Sequence, residues 1–173
     1  MEKTKKKNKS AGAVMEDTEF PKELIEEAEQ PQTEKLFESL YQRLLNMAVN
    51  EKIRLATLGN KEARNLLIKD PNRLVIHSVL NSPKLTDDEI VGFAGNKNLS
   101  KDVANIIANR KEFLKSYAVK VALVNNPKTA VPTAIKLLPF LMEKDVRNVA
   151  KSKAVSSVIV AAARRIITQR AAK

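Results

Sequence analysis

Lys61-Glu62-Ala63-Arg64-Asn65-Leu66-Leu67 returns as Lys101-Asp102-Val103-Ala104-Asn105-Ile106-Ile107 and again as Lys144-Asp145-Val146-Arg147-Asn148-Val149-Ala150. The spacings are 40 and 43 residues. A period of that length belongs to stacked-helix architectures, in which no repeat buries its apolar face without a neighbour. Placed on a helix at about 100° per residue, the motif splits in two. Val103, Ile106 and Ile107 cluster on one side, and Lys101 and Asn105 fall on the other. The same division holds for the other two copies. The apolar half explains stacking. The Lys and Asn half is not needed for it.

The segments between these copies follow one plan. Asn60 opens a helix over about 61–69 that stops near Asp70-Pro71, because proline cannot continue the hydrogen-bond ladder. A second helix covers about 72–80. Thr86 with Glu89 forms a capping box for a third, ending at Gly95. The next unit has Ser100 capping the Lys101 helix, a second helix over 111–124, and a third opened by Thr129 with Pro132 in its first turn. Asn125-Asn126-Pro127-Lys128 matches Asn81-Ser82-Pro83-Lys84 at a spacing of 44. The last unit has the Lys144 helix and a long Ala-rich helix over about 156–169. Upstream, Thr33 is a plausible N-cap, Leu36, Phe37, Leu40, Tyr41, Leu44 and Leu45 form an amphipathic stripe, and Asn50 opens a helix ended by Gly59 in a left-handed conformation. No segment shows a period of two. The expectation is an all-α domain over 33–170, with a degenerate first unit at 33–60 and repeats at 61–100, 101–143 and 144–170.

Composition agrees. Ala, Val, Leu and Ile supply most of the 43 % apolar content, and aromatics are only 4 %. There is no Cys, which excludes disulfides, thiolate metal sites and a thiol nucleophile and is compatible with a reducing cytosol. No apolar run has signal-peptide or membrane-spanning length. A soluble, cytoplasmic protein with no membrane partner is expected.

Net charge is +11, unevenly spread. Residues 1–9 hold five Lys and one Glu; residues 10–38 hold two Lys and nine acids; residues 39–173 hold 24 Lys and Arg against 10 acids. Residues 1–31 read as a disordered charged tail, too poor in apolar residues to order alone. The acidic part of that tail is expected to lie on the basic body and compete with its ligand. A basic body attracts acidic proteins or polyanions.

Candidate chemistry is sparse. His77 is the only histidine, and its counterpart 44 residues on is Val121, so it reads as a packing residue. Asp87-Asp88-Glu89 sits in a helix's first turn, where acids offset the dipole. No metal or cofactor site and no catalytic constellation is indicated, and the chain reads as non-enzymatic. Two accounts remain for the repeated Asn, a mediocre helix former. It bonds to the preceding turn while Lys is merely solvated, or it lines a binding surface.

These residues resemble α-solenoids of the HEAT and armadillo kind. Val121-Ala122-Leu123-Val124-Asn125-Asn126-Pro127-Lys128-Thr129 is also similar to the Asn-Pro-x-Thr turn of leucine-rich-variant repeats, and Asp70-Pro71 to that family's Asp-Pro turn. The resemblance covers residues 33–170. It implies a right-handed superhelix of about three to four repeats of 40–44 residues, working as a scaffold. In armadillo proteins an Asn ladder on the concave face holds extended peptides. The resemblance therefore implies a partner surface at Lys61, Asn65, Lys101, Asn105, Lys144 and Asn148, with Arg64 and Arg147 beside it. Its expected ligand is an acidic protein or peptide, the alternative being nucleic acid or a ribosome contacted through phosphates.

Overall fold

The computed structural model describes residues 20–26 and 34–172, the side chains of 34–37 excepted. The described residues form ten α-helices and no strand. They are α1 (Glu34–Leu45), α2 (Val49–Leu58), α3 (Lys61–Leu67), α4 (Arg73–Leu80), α5 (Asp87–Gly95), α6 (Lys101–Asn109), α7 (Tyr117–Asn125), α8 (Val131–Leu137), α9 (Glu143–Lys151) and α10 (Ser157–Ala171). Most are under about 12 residues, the length below which an isolated helix is marginal in water. Caps and tertiary packing therefore have to hold them.

Side chains cap several of the helices; Asn60, Thr86 and Glu89 are ones the sequence singles out, Asn72 is not. Ala63 N–H donates to Asn60 Oδ1 at 3.0 Å to start α3. Leu74 N–H donates to Asn72 Oδ1 at 2.9 Å to start α4. Thr86 and Glu89 form the expected capping box of α5. Pro132 sits in the first turn of α8.

Four local expectations differ. Ser100 occupies the N-cap of α6, but its side chain makes no capping hydrogen bond. The helix expected over 111–124 is broken: a 3₁₀ turn, Phe113–Lys115, precedes extended Ser116, and α7 starts only at Tyr117. Gly59 is not left-handed but extended, with φ −64° and ψ 161°. It is glycine for lack of room, since a Cβ there would lie 2.6 Å from Leu55 O and 2.7 Å from Ala63 Cβ. The tail expected over 1–31 lies mostly outside the described residues, as does Thr33. Its described part, 20–26, is packed on the body, with Phe20 and Leu24 buried and Asn60 N–H donating to Leu24 O at 2.8 Å.

Helix packing repeats along the chain. α2 packs on α4, α5 on α7 and α8 on α10, so the third helix of one unit lies against the second helix of the next. α9 also packs on α10. Every apolar position of the repeated motif is buried: Ala63, Leu66 and Leu67; Val103, Ile106 and Ile107; Val146, Val149 and Ala150. These residues belong to one apolar cluster running from Phe20 to Ala163. Each buried Val, Leu or Ile contributes about 1.5–3 kcal/mol relative to exposure.

Polar groups seal the joints between units. The last carbonyls of a helix have no partner within it, and side chains from further along the chain reach several of them. Asn60 Nδ2 donates to Glu23 O and Glu26 O. Lys84 Nζ donates to Leu58 O at 2.8 Å, and Arg110 Nη1 to Leu80 O at 2.7 Å. Asn126 Nδ2 donates to Ala94 O at 2.8 Å and Asn96 O at 3.3 Å. Arg170 donates to Pro139 O and Leu141 O. Each of the two matching turns leaves one buried hydroxyl without a partner among the described residues, Thr129 Oγ1 in the second and Ser82 Oγ in the first. Ser82 stands where the next unit has Asn126.

Candidate interaction surface

Lys61, Lys101 and Lys144 begin α3, α6 and the first turn of α9, and all three are exposed. One turn on, Asn65 and Asn105 are half-buried and Asn148 is exposed. Among the described residues, no side-chain hydrogen bond holds any of these three asparagines. The turn work is done by others: Asn60, Asn72 and Asn126. Of the two accounts of the repeated Asn, bonding to the preceding turn is therefore not what these residues do.

The six positions do not form one continuous row of touching helices. α3, α6 and α9 are linked through intervening helices, with α5 packed on α6 and α7 on α9. Lys61 and Asn65 line an open cleft of about 480 Å³ whose other wall is Asp88, Gly92, Phe93 and Asn96 of α5 and its end. Lys101, Asn105, Lys144 and Asn148 lie outside that cleft.

Arg64 leaves the set. Its side chain is 2 % exposed. Nε and Nη2 donate to the two carboxylate oxygens of Glu89 at 2.8 and 2.9 Å, and Nη1 donates to Gly59 O at 3.0 Å. Every nitrogen of the guanidinium is engaged, and at that burial its two remaining N–H groups face no solvent from which a partner could approach. Glu89 also accepts from the Thr86 hydroxyl and N–H. Burial alone raises a carboxyl pKa; here the Arg64 bonds and the Thr86 bonds outweigh it and hold Glu89 below its ordinary value. Arg147, at the same register position of the repeat, is exposed and pairs with Glu143 on its own helix.

Charge separates the two ends. Residues 34–96 carry nine Lys and Arg against eight Asp and Glu, whereas residues 97–172 carry 15 against four. In the first stretch Lys52 and Arg64 are turned inward onto Asp70 and Glu89. In the second, Lys97, Lys101, Lys111, Lys115, Lys128, Lys136, Lys144, Lys151 and Lys153 are exposed, and no ion pair holds them among the described residues.

The remaining titratable groups are accounted for by the fold. The Asp145 carboxylate accepts the Tyr117 hydroxyl proton and raises that phenol above its ordinary value. His77 is half-buried on α4. Asp87 and Asp88 occupy the first turn of α5. Among the described residues no group of three or more His, Cys, Asp or Glu is placed to hold a metal ion, and no helix is long and apolar enough to cross a membrane.

Sequence reasoning missed Phe140 and Met142. Phe140 follows Pro139 and is 66 % exposed. The available signal was Met142 itself. It occupies the N-cap of α9, a position that favours Ser, Thr, Asp or Asn. Comparison with protein-family models, curated proteins and solved structures finds no match to this chain.

Proposed function

We propose that this chain is a non-enzymatic interaction module that binds an acidic protein or peptide through its basic, Asn-bearing surface. Its architecture on this reading is a right-handed α-solenoid of the HEAT or armadillo kind, with about three to four repeats of 40–44 residues. The contact residues are Lys101, Asn105, Lys144, Arg147 and Asn148, extended at one end by Lys61 and Asn65. One observation carries the reading: Asn65, Asn105 and Asn148 sit at one register position of three helices, one turn from an exposed Lys, and their side chains make no hydrogen bond among the described residues. An amide offers both a donor and an acceptor, which suits a peptide backbone, while Lys supplies charge for carboxylates. A cytoplasmic scaffold suits a chain with no Cys.

The test is the triple variant Asn65→Ala, Asn105→Ala, Asn148→Ala, with polyglutamate as probe. Ala is the better helix former, so the variant should melt no lower than the parent. Its affinity for the probe should drop. A variant that unfolds, or one that binds unchanged, overturns the assignment. The excess of 11 cations over acids in residues 97–172 favours a second reading, phosphate-backbone contact with nucleic acid. Titrating salt against random duplex and single-stranded DNA separates the two. Micromolar binding that falls steeply with salt moves the assignment to nucleic acid.

A further inference from the structure

The segment Leu138-Pro139-Phe140-Leu141-Met142 joins α8 to α9. Leu138 and Leu141 point inward and are buried. Between and after them, Phe140 and Met142 stand 66 % and 65 % exposed. Both exceed the other exposed apolar side chains among the described residues.

The turn is clamped rather than loose. Leu138–Phe140 form a 3₁₀ turn. Arg170 of α10 donates to Pro139 O at 2.8 Å and Leu141 O at 3.0 Å. Met142 N–H donates to the Tyr117 hydroxyl at 2.9 Å, and that hydroxyl donates to Asp145. Side chains from α7, α9 and α10 therefore fix the backbone that displays two apolar groups to solvent. Aligned by the first residues of α6 and α9, the preceding unit has Asn96-Lys97-Asn98-Leu99-Ser100, polar at its exposed positions. The unit plan does not require Phe or Met here, and Ser before α6 fills the N-cap position.

One cation lies over the Phe140 ring and two more are close to the pair in sequence. The Lys120 ammonium lies 5.9 Å from the Phe140 ring centroid. Lys136, four residues before Phe140, and Lys144, two after Met142, are exposed. None of the three is in an ion pair among the described residues, while the nearest acids are engaged: Glu143 with Arg147 and Asp145 with Tyr117.

We propose that this turn is the apolar anchor of the partner site: it docks an acidic segment of another protein that also carries apolar side chains. The inference rests on the acidic-protein reading above and adds the half of recognition that charge cannot supply. Pre-fixed aromatic and Met side chains are the residues that concentrate binding energy at protein interfaces. Unlike an aromatic, Met has no π-face on which a base would stack, and its thioether adapts to varied apolar surfaces. Carboxylates flanking the apolar contact would meet Lys120, Lys136 and Lys144.

The experiment measures binding of three labelled probes to the full chain and to Phe140→Ser/Met142→Ser. The probes are a short peptide of Glu and Ser, the same peptide with Leu replacing some Ser, and oligothymidylate. The Leu-bearing peptide should bind the parent about tenfold more tightly than its Leu-free counterpart. That gap should close in the variant, with no fall in melting temperature, since both side chains are exposed and Ser caps a helix better than Met. Equal affinity of the two peptides for the parent, or a gap that survives in the variant, overturns the anchor. If both peptides bind equally, the acidic-protein reading stands without it; if neither binds, both fall. Oligothymidylate binding that is lost in the variant assigns the turn to base stacking instead and overturns the proposal.

Discussion

Residues 61–100 and 101–143 share one helical plan and use charge in opposite ways. In the first, the register position after the buried Ala63 holds Arg64, and the third residue of α5 is Glu89; the two meet in the interior. In the second, the equivalent positions are Ala104 and Thr133, and no charge is buried there. In the last unit Arg147 occupies that position, no third helix follows it among the described residues, and the side chain turns outward to Glu143. The stacking plan is thus indifferent to whether the joint is ionic or neutral. The pair changes together: where Arg becomes Ala, Glu becomes Thr. Inward charges hold one region of the molecule, and outward charges are left for encounter in the other.

The largest effect should come from breaking the ionic joint on one side only. Arg64→Ala leaves Glu89 buried without its partner and should cost about 3–5 kcal/mol in a denaturant titration. Arg64→Ala/Glu89→Thr copies the neutral joint of the next unit and should recover most of that loss. If the double variant is no more stable than the single, the two joints are not interchangeable.

Acid gives a sign as well as a size. Glu89 has a folded pKa lowered from 4.5, so the stability it contributes is present above that value. It is lost as pH falls through the lowered folded pKa. In Arg64→Ala, burial dominates and raises the Glu89 pKa, so the deficit of the variant should shrink on acidification. Thermal melts of parent and variant between neutral pH and pH ~4 would show the two curves converging.

A smaller change tests the polar joints. Asn126→Ala leaves the Ala94 carbonyl without its donor and should cost about 1–3 kcal/mol. Ser82→Asn, which installs the Asn of the second unit in the first, should raise stability by about 1 kcal/mol or less. Lys84 already reaches Leu58 O there, so the second effect is the smaller.

Much of the fold was legible because its signals are local. The Thr86–Glu89 box lies within one helical turn, and proline and asparagine mark most helix boundaries within a residue or two. The apolar half of the repeat follows from angular spacing alone. What escaped notice depends on distant partners. Arg64 looked like a surface cation because its acceptor, Glu89, is 25 residues away. The extended Gly59 reflects the approach of Leu24 and Ala63, which no helix-ending rule contains. Docking of Phe20 and Leu24 needs a receiving surface built by α2 and α3. The Lys and Asn positions were legible as a repeat. Their separation by intervening helices was not, since it depends on α5 packing against α6 and α7 against α9.

Asn60, Lys84, Arg110, Asn126 and Arg170 each donate to carbonyls that precede them in the chain by roughly one unit or less. For these carbonyls completion therefore runs one way, while the ionic joints Lys52–Asp70 and Arg64–Glu89 run the other. A stretch of this chain reaches its final hydrogen bonding only when the stretch after it has arrived. Shortening from the C-terminal end strips donors from helices that remain, whereas shortening from the N-terminal end removes acceptors along with the residues that carry them. During synthesis, each newly emerged unit would close the one before it.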